Sequence, residues 1–192
     1  MRILNHLDTF KLLGVINLNS AFGARDHAMI RLALVTGLRV SELVGLTVGD
    51  VYHDGAPRAW LDLPAAICKG HRSRQIPLNP AARRSVADLV AFLAARGFAT
   101  GPDAPLLTDR RHRALPVREV ERCVQKYREL SGLDKRATPH SFRHSYCSRL
   151  AKAGVDVRSI QTLSGHAHLS TTEVYLHTEP DDLAEAVAFL EP

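Results

Sequence analysis

Cysteine is scarce in this chain of 192 residues, which carries only Cys68, Cys123 and Cys147. Their odd number and wide spacing fit free thiols in a reducing compartment. No Cys-x-x-Cys pair is present, which argues against a thiolate zinc site. Long apolar runs are missing too, and no stretch approaches the ~20 residues of a membrane span. Between Met1 and Ser20 the polar residues Arg2, Asn5, His6, Asp8 and Lys11 interrupt the apolar ones, so the uninterrupted apolar centre of a secretory signal is lacking. A cytoplasmic location is expected. The sequence also lacks a Gly-x-x-x-x-Gly-Lys-Ser/Thr loop and any cluster of carboxylates suited to Mg²⁺. There is no internal repeat and no low-complexity tract.

What the chain does have is an ordinary globular composition, 45% hydrophobic and 23% charged, which excludes wholesale disorder. Its length suffices for one domain with a proper core, with or without a short extension. Net charge is +5, a balance that suits an anionic partner such as nucleic acid. Arginine clearly outnumbers lysine, with Arg72, Arg74, Arg83, Arg84, Arg110, Arg111, Arg113, Arg118, Arg122 and Arg128 among the examples. The guanidinium forks onto phosphate oxygens where lysine is only a point charge. The plainer account is a set of solvated surfaces in a protein from a GC-rich genome.

Apolar periodicity predicts a mostly helical chain. Met1 to Ala21 reads as a short helical lead-in. Arg25 to Thr36 carries apolar residues at helical spacing and ends at Gly37. A second short helix covers Val40 to Leu46, and Thr47 to Asp50 reads as a loop. The period then changes. Ala59 to Leu63, Ala66 to Cys68 and Arg74 to Leu78 look extended, with Lys69-Gly70-His71 as a turn, which predicts one small antiparallel sheet. Asn79-Pro80 is a cap followed by proline at the first helical position, opening a helix to about Ala95. Beyond a Gly/Pro-rich loop (Gly97 to Pro105), helices are expected over Pro116 to Leu130, Pro139 to Ala153, Asp156 to Leu163 and Ser170 to Tyr175. The tail from Asp181 to Leu190 reads as an acidic-headed amphipathic helix with Leu183, Ala184, Val187 and Leu190 on one face.

Four separated segments hold residue types suited to one task. Arg39 lies in Thr36-Gly37-Leu38-Arg39-Val40-Ser41-Glu42-Leu43, and Lys69 in Lys69-Gly70-His71-Arg72-Ser73-Arg74. His140 and Arg143 share Pro139-His140-Ser141-Phe142-Arg143-His144. His166 follows Gly165, with Tyr175 nine residues further on. In order and internal spacing, these segments resemble the four boxes of the tyrosine recombinase (phage-integrase) family. The resemblance covers roughly Ala21 to Thr178. A lone Arg-x-x-Glu or His-x-x-Arg is weak evidence; the four together, with the lysine turn between them, are specific.

The resemblance implies a mainly α-helical catalytic domain with a small antiparallel β-sheet over residues 21–178, a lead-in over 1–20 and a helical tail over 179–192. It also implies breakage and rejoining of duplex DNA. Attack on a phosphodiester places negative charge on the non-bridging oxygens, and positioned cations stabilise it. Arg39 and Arg143 would clamp the phosphate and His166 would donate a further hydrogen bond. Tyr175 would be the nucleophile, giving a covalent 3′-phosphotyrosine. A tyrosine hydroxyl has a free pKa near ~10 and needs help at neutral pH; the family assigns that to His140, and the proton for the leaving 5′ oxygen to Lys69. Because the phosphotyrosine conserves the bond energy, no cofactor or metal is called for. Arg72 and Arg74 read as surface or DNA-backbone contacts, and as alternative proton donors. Relatives work as tetramers on DNA through their C-terminal helices, so the tail is a candidate donor helix, with a monomer expected away from DNA. Folding of the tail back onto its own domain is the alternative.

Taken singly, each residue has a plainer role. Arg39 after a helix-stop glycine is a cation at a helix C-terminus, Lys69 a solvated turn residue, and His140 a polar cap. His140 and His144 have helical metal-ligand spacing, but Ser141 stands where a His-Glu-x-x-His zinc site has glutamate. Glu42 reads as an orienting or capping carboxylate, and His168 and His177 as surface. The sequence departs from the family in Ser164, where an apolar residue is usual, a change expected to loosen the local core without touching chemistry. Most members also carry a DNA-clamping domain ahead of this one. With about twenty residues before the match, an excised domain or a short single-domain recombinase is expected, with fewer phosphate contacts and lower DNA affinity. Three rivals stand: a type IB topoisomerase, a catalytically silent DNA-binding regulator, and a generic helical interaction module.

Overall fold

The computed structural model describes residues 3–68, 70, 72–166 and 172. The predicted helix over 170–175, apart from Thr172, and the tail helix over 181–190 lie outside the described residues. Within them the order is α1 (His6–Gly14), α2 (Gly23–Thr36), α3 (Val40–Gly45), α4 (Val48–Val51), β1 (Tyr52–His53), β2 (Ala56–Pro57), β3 (Trp60–Leu63), β4 (Arg74–Pro77), α5 (Pro80–Ala95), α6 (Val117–Leu130), α7 (Pro139–Lys152) and α8 (Val157–Ser164).

Helix starts follow local chemistry. Asn5 caps α1, its side chain accepting from the Asp8 amide at 2.8 Å. Asn79 caps α5 by accepting from the Ala82 amide at 2.8 Å, with Pro80 at the first position. Asp156 caps α8 by accepting from the Ser159 amide at 3.0 Å. Each satisfies an N–H that the first turn leaves without a helical partner. Two stops matter most for the site. Gly37 ends α2 and Gly165 ends α8, with φ of 63° and 62°, the left-handed conformation that glycine adopts without a Cβ penalty.

The core gathers around α2, which is buried along most of its length and packs on α5 and α7. Leu32, Leu89, Leu93 and Phe142 are fully or nearly fully buried in it. Helix α6 presents Val120, Val124 and Tyr127 inward at helical spacing. The N-terminal lead-in belongs to the same core: Leu4, Leu12 and Ile16 are buried, and the Leu4 amide donates to Ser145 Oγ on α7 at 2.7 Å.

Three local expectations need correction. In place of one sheet there are two antiparallel ribbons, β1–β2 and β3–β4. Ala66 to Cys68 is not a strand, because Ala65–Ile67 forms a single 3₁₀ turn behind Pro64. Thr47 to Asp50 is not a plain loop either. Asp50 Oδ2 accepts from the Thr47 amide at 2.8 Å, which nucleates the one-turn helix α4. In the second ribbon Leu63 pairs with Arg74 and Leu61 with Ile76.

Candidate active site

Four of the side chains singled out by sequence, Arg39, Arg74, Arg143 and His166, meet at the C-terminal end of α8. The last carbonyls of a helix have no intrahelical partner, and here every one of them is taken. The Gln161 carbonyl accepts from the His166 amide and the Thr162 carbonyl from the Gly165 amide, both at 3.1 Å. The next three carbonyls receive arginines from three different elements. Leu163 O accepts from Arg74 Nε at 3.1 Å. Ser164 O accepts from Arg143 Nη2. Gly165 O accepts from Arg39 Nη2 at 2.8 Å. The negative end of the helix dipole favours cations at this point.

Each arginine is placed by its own element. Arg39 directly precedes α3, and Glu42 of that helix accepts both its amide and its Nη1, each at 2.8 Å. Arg143 sits inside α7, is 3% exposed, and also donates from Nη1 to Gly37 O at 2.7 Å. Gly37 is needed here for space as well as conformation, since a Cβ on it would lie 2.3 Å from the Tyr146 ring. Burial, then the neighbouring Arg39, pushes the Arg143 guanidinium down to about 10. Arg39 and Arg143 each spend two N–H groups on these anchors, so part of each five-donor fork is left for an anionic oxygen.

Arg74 is not the surface residue expected. Its side chain is 7% exposed and its guanidinium is paired with Glu42, through Nη1 to Oε1 at 2.9 Å and Nη2 to Oε2 at 2.8 Å. Alternation along β4 puts it on the same inward face as Ile76. Arg72 is exposed, as expected. Both border an open cleft of about 500 Å³ that Gln161, Gly165 and His166 also line.

Glu42 is fully buried. Burial alone would push its carboxyl up, but the hydrogen bonds from Arg74 and from the Arg39 backbone outweigh that and hold it below the usual carboxylate range. Three guanidiniums against this one carboxylate leave a surplus of two positive charges. The arrangement is therefore built to receive an anion.

His166 follows the α8 turn, and its Nδ1 lies 2.9 Å from Thr172 Oγ1, a buried hydroxyl. Burial, then Arg143, Arg39 and Arg74, lowers its pKa to about 4, so the ring is neutral at pH 7. A threonine hydroxyl that donates to Nδ1 leaves the ring proton on Nε2 as a donor. His140 is exposed at the start of α7, and burial, then Arg143 and Arg39, lowers its pKa as well. Lys69 and Tyr175 lie outside the described residues.

The sequence reading missed two contributors. Thr172 carries no signal beyond its place six residues after His166. Ser164 is not a bystander: its carbonyl holds Arg143, while its fully buried hydroxyl lies 3.1 Å from Cys147 Sγ. A small polar pair thus fills a place expected to be apolar.

A depressed histidine destabilises the fold in acid. The unfolded chain takes up the His166 proton near 6.5, the folded chain only near 4, so stability is complete above about pH 6.5 and falls as pH drops toward 4. Thermal melts followed by circular dichroism should show a lower midpoint at pH 5 than at pH 7.5. His166→Gln should flatten part of that difference; an undiminished pH dependence in the variant would refute the assignment.

A model described as the phage integrase family matches residues 2–181. A tyrosine recombinase XerC from Neisseria meningitidis serogroup B is 38% identical over 160 residues, covering 83% of this chain and 50% of that protein. XerC from Syntrophus aciditrophicus is 36% identical over 174 residues, covering 88% and 54%. The chain spans about half the length of the curated relatives it matches. Among solved structures, a XerH site-specific recombinase bound to difH substrate superposes with a TM-score of 0.78 at 23% identity, covering 99% of this chain and 54% of that one. The Tn1549 transposon integrase in complex with circular intermediate DNA gives 0.79 at 22% identity, covering 99% and 67%. These two likenesses speak to the fold.

Proposed function

The chain belongs to the phage integrase family, and from that premise we propose that it breaks and rejoins duplex DNA at specific sites through a covalent 3′-phosphotyrosine. The observation that carries the reading is the surplus of positive charge where Arg74, Arg143 and Arg39 meet successive carbonyls beside His166. Free N–H groups of Arg39 and Arg143 bind the non-bridging oxygens, and His166 donates from Nε2. Charge that develops during attack is met by donors already in place. The Tyr175 hydroxyl attacks phosphorus, with His140 accepting its proton. The bond to the 5′ oxygen breaks, and Lys69 supplies the proton to that leaving group. Rejoining runs the same steps backwards, on the energy kept in the phosphotyrosine.

Arg72, exposed on the cleft beside His166, is a DNA-backbone contact in this reading. Assembly is a homotetramer on DNA in which 181–190 of each subunit docks on a neighbour, and the reaction takes place in the cytoplasm. Deletion from Asp181 onward should abolish the higher-order complex in native gels; full assembly by the deleted chain would discard that element.

The reaction is tested by trapping. Purified protein is mixed with labelled, nicked duplex fragments of its source genome, denatured with SDS and examined for DNA that migrates with protein. The adduct should form with wild type and be absent with Tyr175→Phe. DNA retained in a native gel with no adduct from either protein would favour a silent DNA-binding regulator instead.

A further inference from the structure

We infer that Arg74 is a positioning residue for strand cleavage, locking the Arg39 fork and the turn that carries His166 into one geometry without touching DNA itself. The inference rests on the proposed recombinase reaction, and it replaces the backbone-contact role that the sequence suggests for this residue.

One side chain reaches three of the four segments that carry the chemistry. Arg74 lies on the strand that follows the lysine turn and approaches Cys68 Sγ, the residue before Lys69, at 3.7 Å. Through its paired hydrogen bonds to Glu42 it fixes the carboxylate that orients Arg39. Through Nε it holds the Leu163 carbonyl, at the end of the helix whose following turn presents His166. It also fills the floor of that turn, since a Cβ on Gly165 would meet Arg74 Nη1 at 2.8 Å. All three guanidinium nitrogens are thus engaged within the protein. A fork committed in this way has little left for phosphate, which separates Arg74 from Arg39 and Arg143. A lysine cannot copy it, because one ammonium cannot span both Glu42 oxygens and a carbonyl in the plane a guanidinium offers.

The test uses Arg74→Met and Arg74→Lys in the full chain, with two readouts. In the trapping assay on nicked genomic duplexes, binding should stay within twofold of wild type while adduct formation falls about 100-fold in the methionine variant, in the range seen for misplaced reacting groups. The lysine variant should recover no more than a tenth of the wild-type rate. Guanidinium ion at low millimolar concentration, entering by the open cleft, should restore cleavage to the methionine variant. The second readout needs no DNA. Hydrogen exchange at the Gly165 and His166 amides should rise at least tenfold in the methionine variant, with Ile160 on the same helix unchanged. Binding and cleavage lost in equal proportion would make Arg74 a DNA contact and overturn the inference. Wild-type cleavage, or unchanged exchange at Gly165 and His166, would overturn it too. A wild-type chain that forms no adduct would count against the proposed reaction, while the exchange experiment still decides the role of Arg74. If the methionine variant fails to fold, the lysine variant carries both readouts.

Discussion

Arg143→Ala is expected to lower the stability of the chain by roughly 3–5 kcal/mol and to slow adduct formation by about 10³-fold. The first effect stems from the groups the guanidinium leaves behind. It is buried and donates to the carbonyls of Gly37 and Ser164, so its removal strands two buried acceptors and empties the space between α2, α7 and α8. Each orphaned buried carbonyl costs about 1–3 kcal/mol, and lost packing adds to that. In the proposed reaction, the second effect stems from the donors that these two carbonyl bonds leave unused. A donor already in place over developing negative charge is worth about 10²–10³ in rate when neutral, and this one carries a full charge. Arg143→Lys should fall between the two, keeping the cation but reaching only one carbonyl. Urea denaturation measures the first effect, and trapping under conditions where both proteins are folded measures the second. An alanine variant as stable as wild type would show that the two carbonyls find other partners.

Glu42 gives the other large effect, and an unusual pattern of substitution. Its carboxylate accepts the Arg39 amide, Arg39 Nη1, Arg74 Nη1 and Arg74 Nη2. Removing it leaves three guanidiniums around one turn with no counter-charge. Breaking a buried ion pair by deleting one partner costs about 3–5 kcal/mol, so Glu42→Ala should unfold the chain at markedly lower denaturant. Glutamine, normally the mild replacement, should do nearly as much damage. It accepts on one oxygen only, and its NH₂ group would face a guanidinium, donor against donor. A Glu42→Gln variant within about 1 kcal/mol of wild type in urea would mean that the carboxylate charge is not what holds the two arginines.

Much of the fold and site is legible in the residues themselves. Asn79-Pro80, Asp156, Gly37 and Gly165 stand where helices start and stop, because capping and left-handed turns are decided by the residue on the spot. Arg39, Arg143 and His166 can be nominated together because their segments keep a recognisable internal spacing, and the structure brings all three to one turn. Local reading does not supply direction. Judged by its charge, Arg74 belongs on the surface, although alternation with Ile76 on the same strand points it inward. A buried charge is acceptable only when a partner waits for it, and the partner, Glu42, is far away in sequence. The 3₁₀ turn at Ala65–Ile67 reads as a strand because three apolar residues behind a proline have no period of their own. The bond from Arg143 to Ser164 O is invisible in sequence because it uses a main-chain atom, which any residue at that place would also provide.

The meeting of three arginines on three consecutive carbonyls ties the site to the position of one helix end. Side chains delivered separately from α7, β4 and the residue before α3 share that mooring, so their positions are correlated. Each also keeps a second hold, Arg143 on Gly37 O and both Arg39 and Arg74 on Glu42. Drawing the end of α8 aside would take one carbonyl from each of the three at once and shift the imidazole next in the chain with them. The three guanidiniums and the imidazole therefore answer together to any movement of that helix end, like stops on one bar.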